Sequence, residues 1–228
     1  MTSLAPVVAV DGPSGVGKGM VTRALMSRLP GWHLLDSGAL YRLLALAAHQ
    51  TGIALDDAKA LATLAQKLDI KFSETEEKQE LIILNNQDVT RLVRTETTGG
   101  MASRIASIPQ VREALLARQH AFRQSPGLIA DGRDIGTVIF PDAHLKIFLD
   151  ASPDERARRR LNQLREAGIT ATLDDLRTEI FQRDERDRGR AVAPLVPASD
   201  AVTIDTTSMP PAEVLATVDE LLKSRGLI

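Results

Sequence analysis

A glycine-rich run near the N-terminus carries the residue types best suited to phosphate chemistry. It reads Gly12-Pro13-Ser14-Gly15-Val16-Gly17-Lys18-Gly19, between an apolar segment, Val7–Asp11, and a helix-compatible stretch, Met20–Leu29. In this strand–loop–helix order, backbone N–H groups can curl around phosphate oxygens, and the helix N-terminus adds partial positive charge. Lys18 is placed to reach the β- and γ-phosphates. The run predicts a polyphosphate-binding loop, and a glycine-rich turn without a ligand is the alternative.

The position after the lysine departs from the common pattern of such loops. Ser or Thr usually stands there and ligates Mg²⁺ through its hydroxyl group. This chain has Gly19 and then Met20, neither of which carries a hydroxyl. We therefore expect Mg²⁺ to arrive with ATP and to be held mainly by phosphate oxygens and water molecules.

The composition is that of an ordinary globular protein. The 228 residues suffice for one α/β domain with an added lobe or two, and the net charge of −2 gives no reason to expect nucleic-acid or membrane binding. Cysteine is absent and the four histidines form no ligand-spaced pair, which argues against thiolate chemistry and a zinc–sulfur site. Without a signal segment or a long apolar run, the expectation is a cytoplasmic protein, and we expect a monomer.

Five short apolar runs that end in aspartate predict buried parallel strands. They are Val7–Asp11, His33–Asp36, Leu128–Asp131, Leu145–Asp150 and Ala201–Asp205. Helical patterns lie between or after them, at Ala39–His49, Val111–Arg123, Pro153–Ala167, Leu173–Arg188 and Pro211–Ser224. The alternation predicts an α/β fold with a doubly wound, five-stranded parallel sheet. Its carboxylates would collect at the carboxyl ends of the strands, where such sheets bind ligands.

One segment interrupts this alternation after a predicted helix over Asp57–Leu68. Three β-like pieces occur there, at Ile70–Ser73, Glu80–Leu84 and Asp88–Val93. Asn85-Asn86 is a plausible hairpin turn because asparagine tolerates left-handed backbone, and Glu74–Gln79 is expected to be a surface loop. The segment predicts a small inserted antiparallel sheet.

An arginine-rich arm is the other distinctive segment. Ser152-Pro153-Asp154-Glu155 has the form of a capping box that opens a helix. The arginines that follow are Arg156, Arg158, Arg159, Arg160 and Arg165, and a second group lies within Arg183–Arg190. Two such helices could form a mobile lid over polyphosphate, because phosphoryl transfer needs cations around the moving group. Solvated helix faces with Asp–Arg pairs are the alternative interpretation.

Five stretches together resemble the bacterial cytidylate (CMP) kinases, of the nucleoside monophosphate kinase group, and the likeness covers nearly the whole chain. They are Asp11–Gly19, Leu35–Arg42, Pro109–Leu116, Ala130–Val138 and Arg183–Pro197. The resemblance implies transfer of the γ-phosphoryl group of ATP, with Mg²⁺, to CMP or dCMP. It implies a P-loop core (1–38, 105–152 and 190–228), a monophosphate-binding lobe (39–104, with the β insert at about 69–93) and a helical lid (153–189).

Residue roles follow from the same resemblance. The ATP-binding residues would be Gly12, Pro13, Ser14, Gly15, Val16, Gly17, Lys18, Gly19 and Met20. The CMP-binding residues would be Ser37, Tyr41, Arg42, Ser103, Arg112, Arg133, Asp134, Arg183 and Asp187. Lys18, Arg133, Arg159 and Arg190 would be catalytic, through their charges on the phosphoryl group. The family usually has Thr where this chain has Met20, so a side-chain contact to the donor phosphates is expected to be lost.

Several residues of the predicted site have competing explanations. Asp134 can accept a hydrogen bond from the exocyclic amine of cytosine and repel the carbonyl of uracil, but it could instead pair with a neighbouring arginine. Tyr41 and Ser37 could instead be interior hydrogen-bonding residues. Asp131 resembles a carboxylate of the magnesium shell, but a turn-forming role before Gly132 accounts for it equally well.

Three other functions compete with CMP phosphorylation. A kinase of another small acceptor, such as UMP, shikimate or gluconate, would share the loop and lid. It would lack Ser103, Arg112 and Asp134, the set that the resemblance implies reads the cytosine edge. A GTPase would need an Asn-Lys-x-Asp guanine reader, and the nearest string, Asn85-Asn86-Gln87-Asp88, lacks the lysine. A scaffold protein without turnover has only Met20 in its favour.

Overall fold

A five-stranded parallel sheet forms the centre of the first of two compact units. The structure, a computed structural model, describes residues 4–74, 80–166 and 168–228. The first unit comprises Met1–Asp36 and His120–Ile228. Its strands are β1 (Val7–Asp11), β2 (His33–Asp36), β6 (Leu128–Gly132), β7 (Leu145–Asp150) and β8 (Val202–Asp205), in the order β2-β6-β1-β7-β8. All neighbouring pairs run parallel, as the sequence predicts.

The apolar runs form strands because both faces of the sheet are covered. Every residue of β1 is buried, and β7 is buried up to its final residue. The strand register places Asp36 beside Asp131 on neighbouring strands, and Asp150 beside Asp205. The predicted gathering of carboxylates at the carboxyl ends of the strands is therefore confirmed.

Helices cover the sheet and extend beyond it. In the first unit they are α1 (Lys18–Arg28), α7 (Pro153–Glu166), α8 (Leu173–Arg188) and α9 (Pro211–Ser224), with a π-helical turn at Ile135–Ile139. The Ser152 hydroxyl accepts a hydrogen bond from the N–H of Glu155 at 3.3 Å, as the capping pattern predicts. The indole of Trp32 packs against Gly127, where an added Cβ atom would lie 2.4 Å from the ring. Trp32 thereby joins the apolar core under α1 and α9.

The second unit, Ser37–Gln119, has its own core and its own small sheet. Its helices are α2 (Ser37–Gln50), α3 (Ala58–Lys67), α4 (Thr90–Val93), α5 (Glu96–Ile105) and α6 (Pro109–His120, whose last residue is assigned to the first unit). Its strands β3 (Ile70–Glu74), β4 (Glu80–Leu84) and β5 (Gln87–Asp88) form an antiparallel sheet in that order. The predicted antiparallel insert is confirmed.

The third strand of this insert is much shorter than the sequence predicts. Asn85 and Asn86 have φ values of 49° and 62°, and they form the expected hairpin turn. The prediction of a strand over Asp88–Val93 is wrong, because Asp88 accepts hydrogen bonds from the N–H and the hydroxyl of Thr90. The Thr90 hydroxyl in turn accepts from the N–H of Ile82 on β4 and takes the place of a strand carbonyl. The chain then turns into α4. Of the predicted loop Glu74–Gln79, residues 75–79 lie outside the described residues.

Helix α5 has no counterpart in the sequence predictions. Gly99 and Gly100 lie in its middle and lower its intrinsic helix propensity. It begins at a cap, because the Thr95 hydroxyl accepts a hydrogen bond from the N–H of Thr98.

Among the described residues no helix is long and apolar enough to span a bilayer. The division of the chain into core, acceptor lobe and lid stays a prediction.

Candidate active site

The glycine-rich loop connects β1 directly to α1 at the centre of the sheet. Gly12, Gly15 and Gly17 have φ values of 144°, 81° and 99°, a region that residues with a Cβ atom rarely adopt. At Gly12 a Cβ atom would also lie 2.1 Å from the carbonyl oxygen of Leu149 on β7. The loop shape therefore depends on glycine at these positions.

Several carbonyl groups of the loop are turned towards the protein. The Lys18 ammonium donates to the Gly12 and Pro13 carbonyls, both at 2.9 Å. The Ser14 carbonyl accepts from a guanidinium of α7, and the Val16 carbonyl accepts from the hydroxyl of Thr206. In a planar trans peptide the N–H points opposite to the C=O. The N–H groups of the residues after Pro13, Ser14 and Val16 consequently face away from these contacts, as a phosphate cradle requires.

Lys18 is the first residue of α1 and is only 8% exposed. Burial is the main cause that lowers its pKa to about 7, and the positive charges of Arg133 and Arg183 act in the same direction. The carboxylates of Asp131 and Asp36 raise the pKa, and an Asp131 oxygen lies 3.9 Å from the Lys18 nitrogen. The ammonium of Lys18 therefore lacks full compensation for its charge, and an anionic ligand in the loop would supply it.

Met20 takes part in the loop through its backbone. Its N–H donates to the Gly17 carbonyl at 3.0 Å, and the N–H of Val21 donates to the same oxygen at 3.1 Å. Together with Gly19, Met20 thus forms the first turn of α1. The N–H of Met20 is already used within this turn, and the assignment of Met20 to the ATP-binding residues stays a prediction.

Asp11, the last residue of β1, holds the turn that follows Asp134. Its two oxygens accept hydrogen bonds from the N–H groups of Ile135 at 2.8 Å and Gly136 at 2.7 Å. Burial raises the pKa of Asp11 to about 7, and the two backbone hydrogen bonds act in the opposite direction. Asp134 is buried and immediately precedes the π-helical turn. The sequence analysis assigns no such role to Asp11.

Asp187, on α8, gathers three of the predicted site arginines. It is 2% exposed, and one of its oxygens lies 3.1 Å from the Nε atom of Arg133. Arg190 donates to the other oxygen, and the Nε atom of Arg183 lies 4.0 Å from the carboxylate. Three predicted site arginines thus meet at the Asp187 carboxylate, and two of them, Arg133 and Arg190, are predicted to be catalytic.

The arginines of α7 differ sharply in their surroundings. Arg156 is buried and pairs with Asp184 of α8. Arg159 donates to the hydroxyl of Thr206 at 3.0 Å and to its carbonyl at 2.5 Å, and its Nε atom pairs with Glu155. Arg160 donates to the side chain of Gln163. The resemblance assigns a catalytic role to Arg159 alone of these three, and the structure gives each of the three different partners.

The remaining predicted CMP-binding residues belong to the second unit. The Ser37 hydroxyl donates to the Gln119 side-chain oxygen at 2.7 Å. Arg42 donates to the Val93 and Thr95 carbonyls at 2.8 and 3.0 Å, and its guanidinium lies against Gly99. The buried residues Tyr41, Ser103 and Arg112 complete the set, and Arg112 donates to the Ala106 carbonyl at 3.3 Å. The contact between Ser37 and Gln119 is one that the sequence does not reveal.

The described residues form no protein cage for Mg²⁺. No group of three or more His, Asp or Glu side chains suited to a metal ion occurs among them. Mg²⁺ that enters with a nucleotide needs only one or two carboxylates beside phosphate oxygens and water. Asp131, next to Lys18 at the end of β6, fits that requirement.

Comparison with known proteins identifies the family. A family model described as cytidylate kinase matches residues 8–224. The cytidylate kinase of Aeromonas salmonicida is 57% identical over 218 residues, which are 96% of this chain and 94% of that protein. The cytidylate kinase of Sodalis glossinidius is 56% identical over 216 residues, which are 95% of this chain and 94% of that protein. That of Marinomonas sp. is 52% identical over the full length of both chains. Matches of this identity and coverage, together with the family model, show that the chain belongs to the cytidylate kinase family.

Proposed function

We propose that this protein transfers the γ-phosphoryl group of ATP to CMP or dCMP, giving ADP and CDP or dCDP. The observation that carries the proposal is the buried Lys18 in a loop whose carbonyls face the protein, with Arg133, Arg183 and Arg190 gathered in the same unit. The relatives named cytidylate kinase support the choice of acceptor. A kinase of UMP or of a shikimate-like acceptor is not favoured.

The donor side would work by positioning and by charge. Loop N–H groups would hold the β- and γ-phosphates, and the ammonium of Lys18 would follow the transferred group. Phosphoryl transfer requires little covalent chemistry from the protein. Its main tasks are to position the two nucleotides and to stabilise the negative charge on the equatorial oxygens of the transferred group. Arg133, Arg159 and Arg190 would supply that charge. Arg159 would first have to leave its bonds to Thr206.

The acceptor phosphate is ionised at neutral pH, so the reaction needs no dedicated general base. Ser37, Tyr41, Arg42 and Arg133 would contact that phosphate. Ser103, Arg112 and Asp134 would read cytosine, with the Asp134 carboxylate accepting from the exocyclic amine. Arg183 and Asp187 would hold the sugar.

Mg²⁺ would be held by nucleotide phosphates, by water and by Asp131. When bound, it would neutralise charge on the β- and γ-phosphates. The protein's own part is to keep Asp131 beside Lys18 at the carboxyl end of β6.

The test is steady-state ADP formation with MgATP and each of CMP, dCMP, UMP, AMP and shikimate. CMP and dCMP should be the preferred acceptors. Lys18→Ala should lower turnover at least about a hundredfold while the melting temperature stays close to that of the wild type. Absence of CDP from the wild-type reaction, or near-normal turnover by the folded variant, would refute the proposal.

A further inference from the structure

The buried face of α8 changes character along its length. Leu173, Leu176 and Ile180 follow helical spacing and pack against α7, beside Ala157 and Leu164. The same stripe continues one turn further, but with Asp184 and then Asp187 in place of apolar residues. Buried carboxylates are costly unless they are paired. Asp187 is buried and the Asp184 side chain is only 13% exposed, so both carboxylates in this stripe need partners.

Asp184 pairs with the most deeply buried arginine of the lid helices. Arg156 is 1% exposed and meets Asp184 with two parallel hydrogen bonds, at 3.1 and 2.5 Å. Both oxygens of the carboxylate are used, which is the strong bidentate form of this interaction.

The other side of Arg156 lies against the phosphate loop. Its guanidinium also donates to the Ser14 carbonyl at 3.3 Å and to the Ala151 carbonyl at 3.0 Å. A Cβ atom on Gly15 would lie 3.2 Å from the Cβ atom of Arg156, so the loop packs directly on this residue. Arg156 thus joins the loop, the end of β7 and α8.

Asp187 lies three residues beyond Asp184, on the same face of α8. It is the carboxylate around which Arg133, Arg183 and Arg190 gather. One rigid helical turn therefore separates the side chain tied to the loop from the side chain tied to these arginines. A shift of α8 against the loop would move the arginines with it.

We propose that Arg156 and Asp184 are positioning residues, which tie the phosphate loop to α8 and so couple donor binding to the placement of the arginines on Asp187. The proposal rests on the proposed function, in which these arginines would act on the phosphates and the sugar of the bound nucleotides. It predicts that donor and acceptor nucleotides strengthen each other's binding, and that this coupling depends on the Arg156–Asp184 pair.

The experiment measures the dissociation constant of MgADP with and without saturating CMP, and that of CMP with and without MgADP. In the wild type each ligand should tighten the other by about fivefold or more, and by the same factor in both directions. Asp184→Asn should bring this factor to within about twofold of unity. The double variant Arg156→Met/Asp184→Leu should do the same, and it leaves no unpaired buried charge if the single variant fails to fold.

A matched control exists between the same two helices. Arg177 of α8 pairs with Asp154 of α7 at 2.8 Å, but both side chains are solvent-exposed. Arg177→Gln/Asp154→Asn should retain the wild-type coupling factor, because a merely structural ion pair alters stability and not coupling.

Three results would overturn the inference. They are a coupling factor of one in the wild type, a wild-type coupling factor in a folded variant of Arg156 or Asp184, and a control variant that loses as much coupling as the Asp184 variant does. A wild type that does not phosphorylate CMP would instead defeat the proposed function.

Discussion

Nucleotide binding to the loop should be accompanied by proton uptake at Lys18. Burial lowers the pKa of this lysine to about 7, so its amine is mostly neutral at pH 8 without a ligand. A bound polyphosphate stabilises the ammonium form and raises the pKa again. The lysine should therefore take up a proton as MgADP binds, and the uptake should vanish at pH 6, where the ammonium is already formed.

The size of the effect follows from that pKa. At pH 8 about a tenth of the lysines carry a proton, so uptake should approach about 0.9 proton per nucleotide. Between pH 7 and pH 9 the cost of protonating the lysine grows by about 2.3 kcal/mol, which weakens binding about fiftyfold.

Titration calorimetry in two buffers of different ionisation enthalpy measures this uptake. Lys18→Arg is the control, because arginine stays charged and should bind without uptake at this position. The same control reports any contribution from Asp11, whose pKa is also about 7. Uptake below about 0.2 proton at pH 8 in the wild type, or equal uptake in Lys18→Arg, would refute the reasoning.

Three substitutions test other parts of the site. Asp134→Ala should narrow the preference for CMP over UMP by about tenfold in kcat/KM, and an unchanged ratio would remove Asp134 from base recognition. Gly99→Ala places a Cβ atom 2.9 Å from the guanidinium of Arg42. It should raise the KM for CMP a few-fold at a near-constant melting temperature, and an unaltered KM would contradict the phosphate role of Arg42. Gly12→Ala should lower the free energy of unfolding by more than about 3 kcal/mol, measured in urea, and a wild-type midpoint would show that the loop can relax.

Local patterns were sufficient to predict the central sheet. A run such as Val7–Asp11 is apolar until it ends at a carboxylate. Consecutive residues therefore predict both that it is a strand and where the strand ends. The short β5 was not predictable in this way. It ends because the Thr90 hydroxyl replaces a backbone partner of β4, an interaction between residues eight apart that the β-like run Asp88–Val93 conceals.

The candidate site likewise has features that local motifs predict and features that depend on contacts between distant residues. The motif predicts Lys18 in a loop just before a helix over Met20–Leu29, and in the structure Lys18 is itself the first residue of that helix. The lowered pKa of Lys18 depends on burial and on charges brought together by folding, so no motif contains it. The pairing of Arg156 with Asp184 likewise joins residues 28 positions apart. The one local sign of it is a carboxylate at helical spacing after Leu176 and Ile180.

Trp32, whose indole packs on Gly127, can serve as a fluorescence probe of the first unit. Trp32 is the one tryptophan in the sequence and lies in the first unit, whereas the one tyrosine, Tyr41, lies buried in the second. Indole and phenol emission therefore report on different halves of the molecule without any added label. Denaturation curves followed by the two signals would superimpose if the halves melt together, and would separate if either melts first.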